Sequence, residues 1–245
     1  MTGPRVSVAL ETSGPPGSAA AAAGGRVAEI SLETSAAHGR DLLPALRECL
    51  ARVGARPGEI DLVLVGTGPG SYTGLRVGIA AAKTIAFARG CPILALPSVE
   101  AIAAETPPGE TLVAVAVDAK RGEVFASLHE RTGAEPEEGE RFEGRGAMRC
   151  RQSPRLLSLS ALVRLAGGGT LVLGDGALLH ARVLREAGLR VGDEALARPH
   201  AGILLRLGLR AFAARGGDLP ESVKPLYLRP SAAEEKRAGG LPPPA

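Results

Sequence analysis

Aromatic side chains are nearly missing from this chain: its 245 residues hold no tryptophan, two tyrosines and four phenylalanines. A platform of rings for stacking nucleic-acid bases is therefore not expected, and Ala, Val and Leu must build most of the core. Cysteine is equally sparse. Cys49, Cys91 and Cys150 are odd in number, far apart and without a C-x-x-C pair, which argues against a disulfide framework or a structural zinc site. Long hydrophobic runs are lacking too. Val6 to Leu10 is too short for a signal-peptide core, and nothing approaches the ~18 apolar residues of a membrane span. The expectation is a cytoplasmic protein in a reducing compartment, with no membrane partner. A large charge of one sign is also missing, since 29 Lys+Arg face 26 Asp+Glu for a formal +3, and the basic residues form no dense block. Charge alone does not point to nucleic acid.

What is present is alternation of strand and helix. Val6 to Leu10, Ala19 to Ala23 and Val27 to Glu33 read as strands separated by glycine-containing turns. From His38 to Val53, Leu42, Leu46, Leu50 and Val53 recur at helical spacing with Arg40, Asp41, Arg47 and Arg52 on other faces, an amphipathic helix ending near Gly54. Asp61 to Val65 is a continuous apolar run after one acid, as in a strand buried on both faces. A second helix is expected from about Gly74 to Arg89, and Ile93 to Leu96 is the next strand. After Pro107-Pro108-Gly109 the pattern restarts with Thr111 to Val117 and Glu123 to His129. Leu171 to Leu173 follows as a strand, and Leu178 to Ala187 and Gly202 to Arg215 as helices. The expected class is α/β with two lobes, residues 1–107 and 108–230, followed by a disordered tail at 231–245. The charged, turn-rich stretch 133–146 reads as a surface excursion.

Between the buried strand and the second helix lies Gly66-Thr67-Gly68-Pro69-Gly70-Ser71-Tyr72-Thr73-Gly74-Leu75-Arg76-Val77-Gly78. Glycines ahead of a helix N-terminus suggest a phosphate cradle. The spacing weakens it, because no G-x-x-x-x-G-K-[ST] occurs, and G-x-G-x-x-G fails from Gly66 at Ser71 and from Gly68 at Thr73. A tight turn with Ser71 or Thr73 capping the helix is the plainer reading. Within the helix, Gly74, Gly78, Ala82 and Ala86 place a small residue at every fourth position, a ridge that admits another backbone. It can meet the Leu42/Leu46/Leu50 helix or a second chain, and these residues are the interface candidates.

These residues resemble the TsaB (YeaZ) family, grouped with the Gcp-like or glycoprotease-type proteins, through G-T-G-P-G-S-Y-T-G-L-R-V-G and the A-A-A-K-T-I-A that follows it. Supporting matches are Glu11-Thr12-Ser13, Leu96-Pro97-Ser98-Val99-Glu100-Ala101, Val117-Asp118-Ala119-Lys120-Arg121-Gly122-Glu123-Val124-Phe125 and Lys224-Pro225-Leu226-Tyr227-Leu228-Arg229-Pro230. The resemblance is dense over residues 5 to 130 and thin from 131 to 220. It implies an actin-like or Hsp70-like ATPase (ASKHA) fold and a part in forming N6-threonylcarbamoyladenosine at position 37 of tRNAs that read codons beginning with A. It also implies that a TsaD-like subunit performs the transfer, with a TsaE-like ATPase in the complex. On this reading ATP and metal belong to the partner subunits, the chain has no cofactor of its own, tRNA is met through the complex, and the isolated chain pairs with itself. The two helices flanking the glycine segment resemble those by which family members dimerise.

No catalytic residue and no metal ligand set is expected. His38, His129, His180 and His200 form no H-x-x-x-H pair, and H-E-x-x-H and G-x-S-x-G are absent. Glu11, Asp118 and Asp175 each follow an apolar strand, where open α/β sheets place ligand groups. With Thr12 they outline a nucleotide cleft that reads as degenerate. Pro15 and Pro16 remove backbone donors from the first turn, and Asp118-Ala119-Lys120 lacks a glycine. Two other functions stay open: an ATP-dependent small-molecule kinase of the same fold, and a glycoprotease.

Overall fold

The computed structural model describes residues 3–32, 38–132 and 147–230. The excursion expected at 133–146 and the tail expected at 231–245 lie outside the described residues. Five strands, β1 (Val6–Glu11), β2 (Ser18–Ala23), β3 (Arg26–Ser31), β4 (Leu62–Gly66) and β5 (Ile93–Leu96), form one sheet in the order β3-β2-β1-β4-β5. β1 pairs antiparallel with β2 and parallel with β4, and every residue of β1 and β4 is buried. That is why both read as unbroken apolar runs: helices cover both faces of the sheet. β3 lies at the edge and is largely exposed or half-buried.

On one face lie α1 (His38–Val53) and α2 (Tyr72–Arg89). Leu42, Leu46, Cys49 and Leu50 of α1 and Ile79, Ala82 and Ala86 of α2 pack with Val8, Leu10, Val63 and Val65. The opposite face, Ala9, Ala20, Leu62, Leu64 and Leu94, is covered by Ala201, Leu204 and Leu205 of α7 (Ala201–Arg215).

The second sheet comprises β6 (Leu112–Asp118), β7 (Glu123–Arg131), β8 (Met148–Ser158), β9 (Leu171–Leu173) and β10 (Arg190–Val191) in the order β10-β9-β6-β7-β8. One face packs on Leu162 and Ala166 of α4 (Leu159–Ala166), Ala177 of α5 (Asp175–Leu179) and Leu184 of α6 (Ala181–Glu186). The other receives Val99, Ile102 and Ala103 of α3 (Ser98–Ala103) against Val113, Val115, Leu171 and Leu173. Thus α3, which follows the first sheet in the chain, covers the second, and α7, which follows the second, covers the first.

Residues 201–215, within the expected second lobe at 108–230, bury their apolar side chains on the first sheet, and residues 98–103, within the expected first lobe at 1–107, bury theirs on the second. Two further details differ from expectation. The helix expected over Leu178 to Ala187 is two short helices meeting at His180, and β8, α3 and α4 were not foreseen. Among the described residues no helix is long and apolar enough to cross a membrane.

Candidate functional site: a filled cleft and an exposed helix face

The carboxyl ends of β1, β4 and β6 meet between the lobes, where the sequence placed Glu11, Thr12, Asp118 and Asp175. All four are engaged in bonds within the chain. The Glu11 side chain is 1% exposed. Its Oε1 accepts from the Ser13 N–H at 2.7 Å, and its Oε2 is buried without a hydrogen-bond partner. Burial pushes its pKa up, against the opposing pull of Ser13 and Ser98. Glu11 lies so close to Gly66 that any Cβ there would overlap its carboxyl. Thr12, fully buried, donates from Oγ1 to the Gly74 carbonyl at 2.8 Å, in the first turn of α2. A Cβ on Gly78, one turn further along, would overlap that same hydroxyl. The two glycines leave room for β1's terminal side chains.

Three of the loop's backbone donors are spent in the same way. Ser71 N–H donates to the Ser13 carbonyl at 2.6 Å, Gly68 N–H to Ser98 Oγ at 3.0 Å and Thr67 N–H to the Leu96 carbonyl at 2.9 Å. Ser71 is the N-cap of α2, its Oγ accepting from Gly74 N–H at 3.1 Å. The Glu-Thr-Ser turn and the glycine segment are therefore one interlocked unit.

Across the cleft, Asp118 accepts from the Lys120 N–H at 2.7 Å and pairs with its ammonium at 2.6 Å. Burial opposes its charge, but the Lys120 contacts outweigh that and hold its pKa below the usual range. Asp175 accepts from the Asp118 N–H at 3.0 Å, and burial raises its pKa. Between Ser13, Pro69, Ser98, Asp175 and Arg198 the space left is about 10 Å³, room for a single water. The structure does bring Glu11 and Thr12 together on one side of this cleft and Asp118 and Asp175 on the other, but each pair serves its own loop.

The histidines lie apart. His129 is buried on β7, its Nε2 2.9 Å from Ser127 Oγ, with its pKa lowered to about 4 by burial. His200 stands 3.6 Å from Glu29, whose carboxylate raises its pKa. His180 marks the joint between α5 and α6. The side chain of His38 lies outside the described residues.

The interface candidates lie on the inward sides of their helices. Leu42, Leu46, Gly74, Gly78, Ala82 and Ala86 are all buried against the chain's own sheet and β1 turn. The small-residue ridge is used internally, because Thr12 and the strands beneath α2 need that close approach. What α1 and α2 turn outward is different: Leu43, 53% exposed, Phe87, 90% exposed, and Tyr72, together with Arg47, Arg76 and Ala80. The signal that could have found Leu43 and Phe87 is their place off the Leu42/Leu46 and Gly78/Ala82 rows, where a large apolar side chain has no internal neighbour.

Comparison with known proteins places these features. A family model described as "TsaD: tRNA N6-adenosine threonylcarbamoyltransferase" matches residues 20–142, half of the chain. The tRNA threonylcarbamoyladenosine biosynthesis protein TsaB of Haemophilus influenzae is 29% identical over 236 residues, covering 95% of this chain and 97% of that protein. The protein of that name from Bacillus subtilis is 36% identical over 93 residues, 38% of this chain and 41% of its own length. The solved structure of YeaZ from Pseudomonas aeruginosa superposes with a TM-score of 0.73 at 27% identity, over 91% of this chain and 100% of that one. The two-sheet frame, the glycine segment and these matches agree: the chain belongs to the TsaD family of threonylcarbamoyltransferase-type proteins, within its TsaB (YeaZ) group.

Proposed function

We propose that the chain is a non-catalytic subunit of the assembly that forms N6-threonylcarbamoyladenosine at position 37 of tRNAs reading codons that begin with A. A TsaD-like transferase is its direct partner, and a TsaE-like ATPase joins the complex. ATP and metal act on those subunits, this chain holds no cofactor of its own, and tRNA is met through the complex in the cytoplasm. Alone, the chain pairs with a second copy through the same surface.

One contrast carries the reading. The residues that would hold a nucleotide are tied into the chain's own turns, whereas α1 and α2 leave Leu43 and Phe87 exposed on their outer sides. Exposed apolar and aromatic groups on the outer side of two helices are what a helix-pairing partner buries. The kinase reading needs free loop donors, and Ser71, Gly68 and Thr67 have given theirs to Ser13, Ser98 and Leu96. The glycoprotease reading needs clustered metal ligands, and His129, His180 and His200 sit on separate elements.

The test is depletion followed by mass spectrometry of tRNA nucleosides, paired with co-purification of a TsaD-like protein. The expected result is loss of threonylcarbamoyladenosine and a stable pair. Normal levels of the modified nucleoside after depletion would overturn the proposal.

A further inference from the structure

Past α7 the chain turns back across both lobes. Asp218 N–H donates to the Ile93 carbonyl at 2.7 Å and its carboxylate accepts from Ala95 N–H at 2.8 Å, so this stretch covers the outer edge of β5. Val223 enters the core beneath α1 and α2. Leu226 N–H then donates to the Thr67 carbonyl at 2.8 Å, in the loop that launches α2. The ring of Tyr227 stacks on Tyr72, with centroids 4.7 Å apart and planes 20° from parallel, and the Arg76 guanidinium lies 4.6 Å from the Tyr72 ring centre. These are the two tyrosines of the whole chain.

Two residues later the path crosses to the second lobe. Arg229, largely buried, donates to the Ala119 carbonyl and to the Glu123 carboxylate, which flank the β6–β7 turn. In that turn Lys120 and Arg121 have φ of 64° and 57°, the left-handed region that non-glycine residues seldom adopt. A charge-assisted guanidinium contact on the residues either side of it fixes a turn of this kind more firmly than packing alone. Within six residues, therefore, the chain grips the loop before α2, the first turn of α2 and the hairpin turn of the other lobe.

We propose that residues 224–229 are a strap that ties the β6–β7 turn of the second lobe to the first turn of α2, so that the helix face offered to a partner is set by how the lobes are held. The Leu226 hydrogen bond and the Tyr227 stack fix the first-lobe end, and the Arg229 guanidinium fixes the second-lobe end. Loosening either end frees the other, since only two residues lie between Leu226 and Arg229. The link to a partner rests on the reading given under Proposed function, whereas the coupling of the two ends does not.

Hydrogen exchange on the full chain and two variants tests it. Arg229→Ala removes only the second-lobe grip. Exchange should quicken roughly tenfold at residues 119–123, and also at Leu226 and the first turn of α2, with β1 and β4 unchanged. Tyr227→Leu keeps apolar bulk but removes the stack, and should carry the same effect in the opposite direction, from α2 to residues 119–123. It also stands in should Arg229→Ala fail to fold. Faster exchange confined to the mutated end in either variant would overturn the strap. Affinity for the TsaD-like protein should fall roughly tenfold in both variants, and unchanged affinity with altered exchange at both ends would overturn the coupling to the partner face. A wild-type chain that binds no TsaD-like protein would overturn the partner reading instead, leaving exchange to decide the strap.

Discussion

The two lobes share one frame and use it differently. Each sheet has a first strand flanked by an antiparallel hairpin on one side and two parallel strands on the other. In each, the acid closing that first strand accepts the N–H two residues on, Glu11 from Ser13 and Asp118 from Lys120, both at 2.7 Å. The covering layers then diverge. Where the first lobe has helices of 16 and 18 residues, the second has α4 of 8 and the pair α5 and α6 of 5 and 6. Long helices give the first lobe an outer surface with Leu43 and Phe87 on it, whereas the second lobe's short ones leave Leu179 and Val183 beside a bend in the chain. The lesson is that a repeated sheet fixes where side chains stand, and the helices laid on it decide whether they meet a ligand, the chain itself or another protein.

The largest way to break this comparison is to jam the interlock of the first lobe. Gly78→Leu drives a side chain into Thr12 and should cost more than ~3 kcal/mol, read as a fall in thermal midpoint or failure to fold. A variant of near wild-type stability would mean that α2 does not need its close approach. Thr12→Val keeps the shape and removes the bond to Gly74, so unfolding in denaturant should show a loss of about 1 kcal/mol.

The acids sharpen the contrast through pH. Glu11 is raised by burial, so it favours the fold at low pH and that contribution is lost as pH climbs through its folded-state pKa. Glu11→Gln removes the titration, and its stability relative to wild type should improve as pH is raised from acid to neutral; a gap that stays constant with pH would contradict a carboxyl whose pKa burial raises. Asp118 is lowered, so its contribution is present at neutral pH and disappears on acidification. Because Asp118 is partly open to water, Asp118→Asn should cost only ~0.5 kcal/mol at neutral pH and nothing in acid, in parallel denaturation curves. Opposite slopes for the two variants are the signature of the lobes' different use of the same strand end.

Much of this was legible from residues alone. The apolar runs of β1 and β4, the four-residue leucine spacing of α1 and the Ser71 cap come from local periodicity and turn chemistry, which a linear string carries. β8 was not legible, because an edge strand with Arg149, Arg151, Pro154 and Arg155 shows no apolar alternation. The placement of α7 was hidden for another reason: its apolar residues call for a cover, and nothing local says which sheet supplies it. The small-residue ridge is visible in the sequence, but its neighbour, Thr12, lies more than sixty positions earlier in the chain. The glycines of the loop suggested an anion for the same reason, since Ser13 and Glu11 fill the space only once β1 and β4 are side by side.

The most direct test of the account compares the two exposed surfaces in binding. Leu43→Ser with Phe87→Ser, and separately Leu179→Ser with Val183→Ser, should leave the fold intact, since all four side chains are exposed. Calorimetric titration with a TsaD-like protein should show the first pair losing about 2 kcal/mol or more of binding free energy and the second pair binding as wild type. Equal losses in both pairs, or a loss confined to Leu179 and Val183, would contradict the assignment of the partner face to the first lobe.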